Sequence, residues 1–282
     1  MFTLIVENES NEQLELTNSE AYDVIKIDGL TPSGATINTS SVAGLDGTRF
    51  NSASIAQRNL VIYLNIKSPV EENRQQLYKY FRVKRKCKIY FKNQNRDVFI
   101  EGYVETFEAD LFGMTQQPQI SIICPEPFFK AVDEILVEFS NTLALFEFPF
   151  SIPEEGIEFS RIESMTTKYI NAGDIETGAI ITLSALSNQI LNPIIYNRTS
   201  NEFFKLAVDL SEGDTLVINT NKGEKSVRLI KSGVETNLLN KITSGSTWLQ
   251  FQPGVNEISY DADEGAANLK VNVAIAQKYG GV

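Results

Sequence analysis

Through the first 130 residues, apolar positions recur mostly every second residue. In RNLVIYLNI (58–66), Leu60, Ile62, Leu64 and Ile66 fall on one face of an extended chain, with Asn59, Val61, Tyr63 and Asn65 on the other. CKIYF repeats the alternation with Cys87, Ile89 and Phe91 against Lys88 and Tyr90. After the polar NQNR at 93–96, DVFIEGYVETF sets Val98, Ile100, Gly102 and Val104 against Phe99, Glu101, Tyr103 and Glu105, and QISIIC supplies a further strand. Phe2 to Val6 reads as the first strand. Segments of this kind predict a half-buried antiparallel sheet.

One stretch leaves this period. Ser68-Pro69-Val70-Glu71 reads as a helix start, with Ser68 as N-cap, Pro69 in the first turn and Glu71 closing a capping box. Val70, Leu77 and Phe81 follow at helical spacing, with Arg74 and Tyr78 beside them, which predicts one helix over 69–82 lying across the sheet. SVAGLDGTRFNSASIAQ (41–57) shows little alternation and reads as a long loop, either a flexible hairpin tip or a surface loop that orders only against a neighbour.

CPEPFFK (124–130) marks a domain boundary, because Pro125 and Pro127 end the preceding strand and stiffen the exit. The expected domains are 1–128 and 129–282. Beyond the prolines, short strand-like runs follow one another: EILVEF, LALFEFPF, AIITLSAL, NPIIYNR, FFKLAVDL, DTLVINT, KSVRLI, TWLQF, NEISY and NLKVNVAIA. The run INTNKGEKSVRLI reads as a hairpin turning at Asn221-Lys222-Gly223. Many short strands with turns between them predict a β-sandwich or jelly roll. The fold class is mainly β, in two domains, with one helix.

Composition narrows the chemistry. The 282 residues contain no histidine, which removes Ser-His-Asp, Cys-His and most general-base catalysis near neutral pH. With Cys87 and Cys124 as the two cysteines and no CxxC, a zinc site of the usual kind has no ligand set. Those cysteines read as reduced thiols on buried strand faces, with a bridge as the alternative. Net charge is −11, which argues against attraction to nucleic acid or anionic membrane, and no apolar run reaches the length of a membrane span. The N-terminus turns acidic within a few residues and lacks the basic region of a signal peptide.

Against this acidic background, Arg82, Lys84, Arg85, Lys86 and Lys88 stand together where the helix ends and a strand begins. Cations there complement the negative end of the helix dipole. A nucleic-acid surface would continue the basic stripe with stacking aromatics, whereas this one stops at Lys92. A protein interface fits better. The acidic groups Glu154-Glu155, Asp261-Asp263-Glu264 and Glu105-Glu108-Asp110 raise a carboxylate hydrolase, and DADEG raises calcium, although its spacing is not that of an EF-hand. Proline or glycine beside the first two groups favours solvated turns. Trp248 in GSTWLQFQPG is the one tryptophan, either a rim residue or a ring that stacks on a glycan.

Taken in order, YDVIKIDGL, AGLDGTRF, RNLVIYLNI, NRQQLYKYFRVKRKCKIYF, FIEGYVETFEADLF and QISIICPEPFF resemble the distal tail protein family of long-tailed, flexible-tailed bacteriophages. NAGDIETGAIITL, LSEGDTLVINTNKGEKSVRLI and GSTWLQFQPGVNEISY carry the likeness into the second half. It rests on the ordered set, not on one motif. The resemblance implies a non-enzymatic hub in the virion tail tip, assembled in the host cytoplasm and needing no cofactor. N-terminal domains would close into a six-membered ring joining the tail tube protein to a tail-associated lysin or tip protein. The C-terminal domain would be a galectin-like sandwich, with receptor-binding proteins among its partners. It also makes 41–57 an arm that clasps a neighbour, placing Asp46, Arg49 and Phe50 in a contact between protomers. Arg74, Tyr78, Arg82, Lys84, Arg85 and Lys86 would form another. The alternative is a carbohydrate-binding module for wall glycan, acting through Trp248.

Overall fold

The computed structural model describes residues 2–44, 46–113, 115–139, 142–144, 160–162 and 166–282. The chain forms two compact units, one of residues 1–133 with 278–282, the other of residues 134–277.

In chain order the first unit contains β1 (Thr3–Glu7), β2 (Gln13–Glu15), β3 (Tyr22–Asp28), β4 (Ala35–Ser41), β5 (Thr48–Ile55), β6 (Arg58–Ile66), α1 (Val70–Tyr80), β7 (Lys86–Lys92), β8 (Asp97–Glu108), β9 (Gln119–Cys124) and β10 (Phe129–Ala131). The main sheet runs in the order β2-β1-β7-β8-β9-β6-β3. Its pairs are antiparallel, and the alternation in sequence becomes its two faces: Leu60, Ile62, Leu64, Ile89, Phe91, Val98, Ile100, Val104, Ile120 and Ile122 are buried in one core. That core also takes Leu77 and Phe81 from α1. At about 25 cal/mol per Å² of apolar surface, each such side chain contributes roughly 1.5–3 kcal/mol.

The helix is shorter than 69–82 and is not capped as predicted. Pro69 itself occupies the cap position with an extended backbone, and no side chain caps the helix. This leaves Ser68 one place outside capping reach. The Glu71 carboxylate turns away to Arg74 and Gln75 (3.1 Å for Gln75) instead of closing a box.

The domain boundary also moves. β10 pairs with β8 and with Lys278–Tyr279, so Phe129–Ala131 belong to the first unit, and so do the five residues from Lys278 to Val282. Arg58 explains this return. Its guanidinium donates to the carbonyls of Gly29, Thr31 (2.8 Å), Pro127 (2.6 Å) and Gly280 (2.6 Å), and it lies over the Phe129 ring. Lys278 adds an ion pair to Glu126 at 2.6 Å, and the Val282 amide donates to the Leu30 carbonyl.

In the second unit a six-stranded sheet runs in the order 135–138, 269–275, 180–185, 215–219, 226–231, 234–237. A four-stranded sheet runs 166–171, 254–261, 194–197, 202–205. Ile181, Leu183, Leu216, Ile218, Val271 and Val273 from the first join Tyr169, Ile195, Phe204, Ile258 and Tyr260 from the second in one core, which makes a β-sandwich. Among the described residues it holds two 3-10 turns, Leu239–Lys241 and Ala266–Asn268, and no α-helix. The hairpin turning at 221–223 forms, with Gly223 at φ 88°. TWLQF is not a strand. A single backbone bridge joins Phe251 to Thr177, the Thr247 amide donates to the Phe203 carbonyl, and side-chain amides add to these, Asn171 donating to the Phe251 carbonyl and Asn197 to the Gln250 carbonyl. Part of LALFEFPF lies outside the described residues.

Candidate assembly surface

The segment 41–57, expected to be a long loop, holds the turn and second strand of a hairpin whose register shifts between Asn38 and Thr39. β4 and β5 pair with each other in a two-stranded sheet of their own, Ala35 opposite Ile55 through Ser41 opposite Thr48. Every described residue from 34 to 57 is exposed, including Ile37, Ile55 and Phe50, the last at 61%. ATINTSS and TRFNSASI are rich in Thr, Ser and Ile and so suit strands, but with neither face buried nothing imposes apolar alternation. That is why the pattern was silent here. Asp46 stands in the hairpin turn, Arg49 opposite Ser40 and Phe50 opposite Thr39.

The helix residues divide. Arg74 is buried and works inside the unit, donating to Gln116 Oε1 at 2.8 Å and pairing with Glu71. Tyr78 is exposed and packs edge-on against Phe107 with ring centroids 4.8 Å apart. Lys79 stands in the last helical turn, where the dipole argument applies. The cations beyond it have other company. Arg85 meets Glu9 at 3.7 Å, Lys86 meets Glu101 at 3.1 Å, and Lys88 lies 3.7 Å from Glu7 and 3.8 Å from Glu101. Arg82 and Lys84 make no such pair among the described residues. Lys79, Tyr80, Arg82, Arg85 and Lys86 form one wall of a cleft of about 340 Å³ whose other wall is Asn8, Glu9, Ser10 and Glu12.

The remaining candidates are structural in their surroundings. Trp248 is half-buried against Phe204, centroids 5.0 Å apart, with the Lys225 ammonium 5.5 Å from its ring centre, the setting of a rim residue. Asp263 accepts from Lys205 and Asn192, and these contacts hold its carboxyl below the usual range. Glu105 accepts from Ser121 at 2.8 Å. Among the described residues no three Asp, Glu or Cys side chains gather as a metal site. Glu154 and Glu155 lie outside the described residues.

Cys87 and Cys124 are free and buried. Cys87 is opposite Gly102 across β7 and β8, and Cys124 lies beyond Gly102 in β9, so two strand spacings of about 4.8 Å separate their backbones, too far for a bridge. Burial pushes both thiols up to about 12. The folded protein should therefore leave both unmodified by a thiol reagent at pH 8 over hours and release two on unfolding. Labelling of either in the native state at an unfolded-like rate would contradict this placement.

Sequence reasoning missed two features. The buried Arg58 is one, since nothing in RNLVI distinguishes it from a surface residue. The other is the β8–β9 loop, where Leu111 is exposed and Phe112 wholly so. ADLFG carried a signal, two large apolar residues between a turn-forming Asp and a Gly.

Two family models match. Residues 11–124 match a phage tail protein RIFT-related domain, and residues 172–275 match the siphovirus-type tail component, C-terminal domain. No curated protein matches by sequence. Among solved structures, the Dit (gp 19.1) protein of SPP1, described as a paradigm of the hub adsorption apparatus in phages infecting Gram-positive hosts, is 13% identical. The match covers 99% of each chain with a TM-score of 0.68. A chain of the phage P2 baseplate in its activated conformation with Ca is 11% identical over all of both chains, TM-score 0.60, and the same baseplate with Sr gives 0.59.

Proposed function

We infer, from the premise that this chain belongs to the siphovirus-type distal tail protein family, that it is a structural hub at the tail tip. First units would close into a six-membered ring, joining the tail tube protein on one side to a lysin or tip protein on the other. The sandwich is left for receptor-binding proteins. Its work is assembly rather than catalysis, in keeping with the family.

The observation that carries the ring is the hairpin arm. A two-stranded hairpin with no buried face is at best marginally stable alone in water. An arm that exposes Ile37, Phe50 and Ile55 gains its stability by lying on a neighbour. In a cyclic assembly each protomer both gives and receives such an arm. Replacing residues 35–55 with a short Gly-Ser link should leave the first unit folded and abolish oligomers. Light scattering of the intact protein across a concentration series, with particle images, reads the outcome. An intact protein that stays monomeric at all concentrations, alone and with tube or tip proteins, overturns the proposal.

A further inference from the structure

We propose that the β8–β9 loop is a knob that docks into the basic cleft at the end of α1 on a second copy of this chain. The proposal rests on the ring reading above and names one of its contacts.

The knob is built to be presented. Asp110 Oδ1 accepts from the Phe112 amide at 3.0 Å, and Gln116 Nε2 reaches the Leu111 carbonyl at 3.4 Å while its other end receives Arg74. The amides of Ile66 and Leu64 hold the Gln116 and Pro118 carbonyls, so the loop is fastened to β6. On this base Phe112 is 100% exposed and Leu111 48%. Glu108 and Asp110 beside them make no ion pair among the described residues. Water is a poor partner for a fixed, fully exposed ring.

The cleft offers the complement. Lys79, Arg82, Arg85 and Lys86 line it against Glu9 and Glu12, four cations to two carboxylates, and Tyr80 adds a ring; guanidinium groups and lysine stems are partners for an aromatic side chain. Half-exposed Val83 lies on the same turn. Among the described residues Lys79, Arg82 and Lys84 have no carboxylate paired with them, so this turn has cations to spare for the two carboxylates of the knob.

Knob and cleft are separate surfaces of one protomer, reached from different parts of α1. At its start α1 is tied to β3, the Tyr22 hydroxyl lying 2.9 Å from the Asn73 carbonyl, and to the loop through Arg74 and Gln116. At its end the Tyr80 hydroxyl reaches the Gln13 carbonyl of β2 at 3.4 Å. About six helical residues, roughly 9 Å at 1.5 Å per residue, separate Arg74 at the loop from Tyr80 at the cleft, and Tyr78 between them packs on Phe107 at the end of β8. Complementary patches at two different places on one protomer can pair head to tail, the kind of contact that closes a ring.

The test is a charge swap read by the concentration at half-assembly. Phe112→Ala should raise that concentration at least about tenfold, the effect of losing one anchoring side chain. Glu108→Lys with Asp110→Lys should impair assembly, as should Arg82→Glu with Lys84→Glu, and the four changes together should restore it. Because Phe112 is wholly exposed, its variant should melt as the wild type does. Wild-type rings with Phe112→Ala rings at the same concentration overturn the knob and leave the ring standing. Impaired charge variants whose combination brings no recovery also overturn this pairing. A wild type that never assembles removes ring and knob together.

Discussion

Arg58→Ala is expected to destabilise the first unit by about 3–5 kcal/mol, since four hydrogen bonds from a charged donor, roughly 1.5–3 kcal/mol each, are lost and the desolvation of the guanidinium offsets part of them. Arg58 is 3% exposed, and its guanidinium faces four carbonyls from three chain segments, the 29–31 turn, the Pro127 stretch and Gly280, with no ion pair to a carboxylate among the described residues. Desolvation lowers its pKa from the ordinary arginine value, and the charge persists because the carbonyl dipoles replace water. Alanine takes the donor from all four carbonyls and removes the cation over the Phe129 ring. Lysine, a point donor on a single stem, cannot span carbonyls spread around a planar fork, so Arg58→Lys should recover only part of the loss. The chain provides separate reporters for its two units. Both cysteines lie in the first and the single tryptophan in the second. In mild urea, thiol labelling should speed up more than about a hundredfold, by the 1.4 kcal/mol per decade rule, while the Trp248 transition keeps its midpoint. Labelling at the wild-type rate would show that Arg58 is not the tie it appears in the geometry.

What the sequence disclosed follows from what is buried on one face only. β6, β7 and β8 alternate because each has a core side and a wet side, and Leu60, Ile62, Leu64, Ile89 and Val104 were readable for that reason. The hairpin arm has no dry side, so its strands carried no period. The helix core positions Leu77 and Phe81 were legible, whereas the cap was not, because a capping box is a wager on backbone geometry at Ser68 and Pro69.

Long-range pairing left the least trace. QKYGGV reads as a tail, and its return to Phe129 and Arg58 depends on partners some 150 to 220 residues away. The basic turn was conspicuous from its charge alone. Which of its members are free was not, since that depends on Glu7, Glu9 and Glu101 arriving from two other strands. Charge composition shows where a patch is; the sheet order decides which cations remain for a partner.

Gly102 is a core position where adding one methyl group should be felt. In β8 it lies between Cys87 of β7 and Cys124 of β9, and its φ is ordinary, so the argument is space alone. A Cβ there would lie 2.6 Å from Ile122 Cγ2, 2.8 Å from Cys124 Sγ and 3.0 Å from the Ile123 carbonyl oxygen. The first two can shift a little in a packed core, but the carbonyl moves only if the β8–β9 ladder moves with it. Gly102→Ala should therefore cost about 1–3 kcal/mol by overpacking, less the few tenths to about 1 kcal/mol returned by a stiffer unfolded chain. Gly102→Val should cost more than Ala, since its extra methyls enter the same space. The diagnostic is a double variant. Adding Cys124→Ala removes the sulfur contact, so Gly102→Ala should cost less in that background than alone, read by urea unfolding with labelling of Cys87 as the reporter. Equal costs in both backgrounds would mean that the thiol is not what fills the space above Gly102, and the ladder at Ile123 would then bear the whole strain.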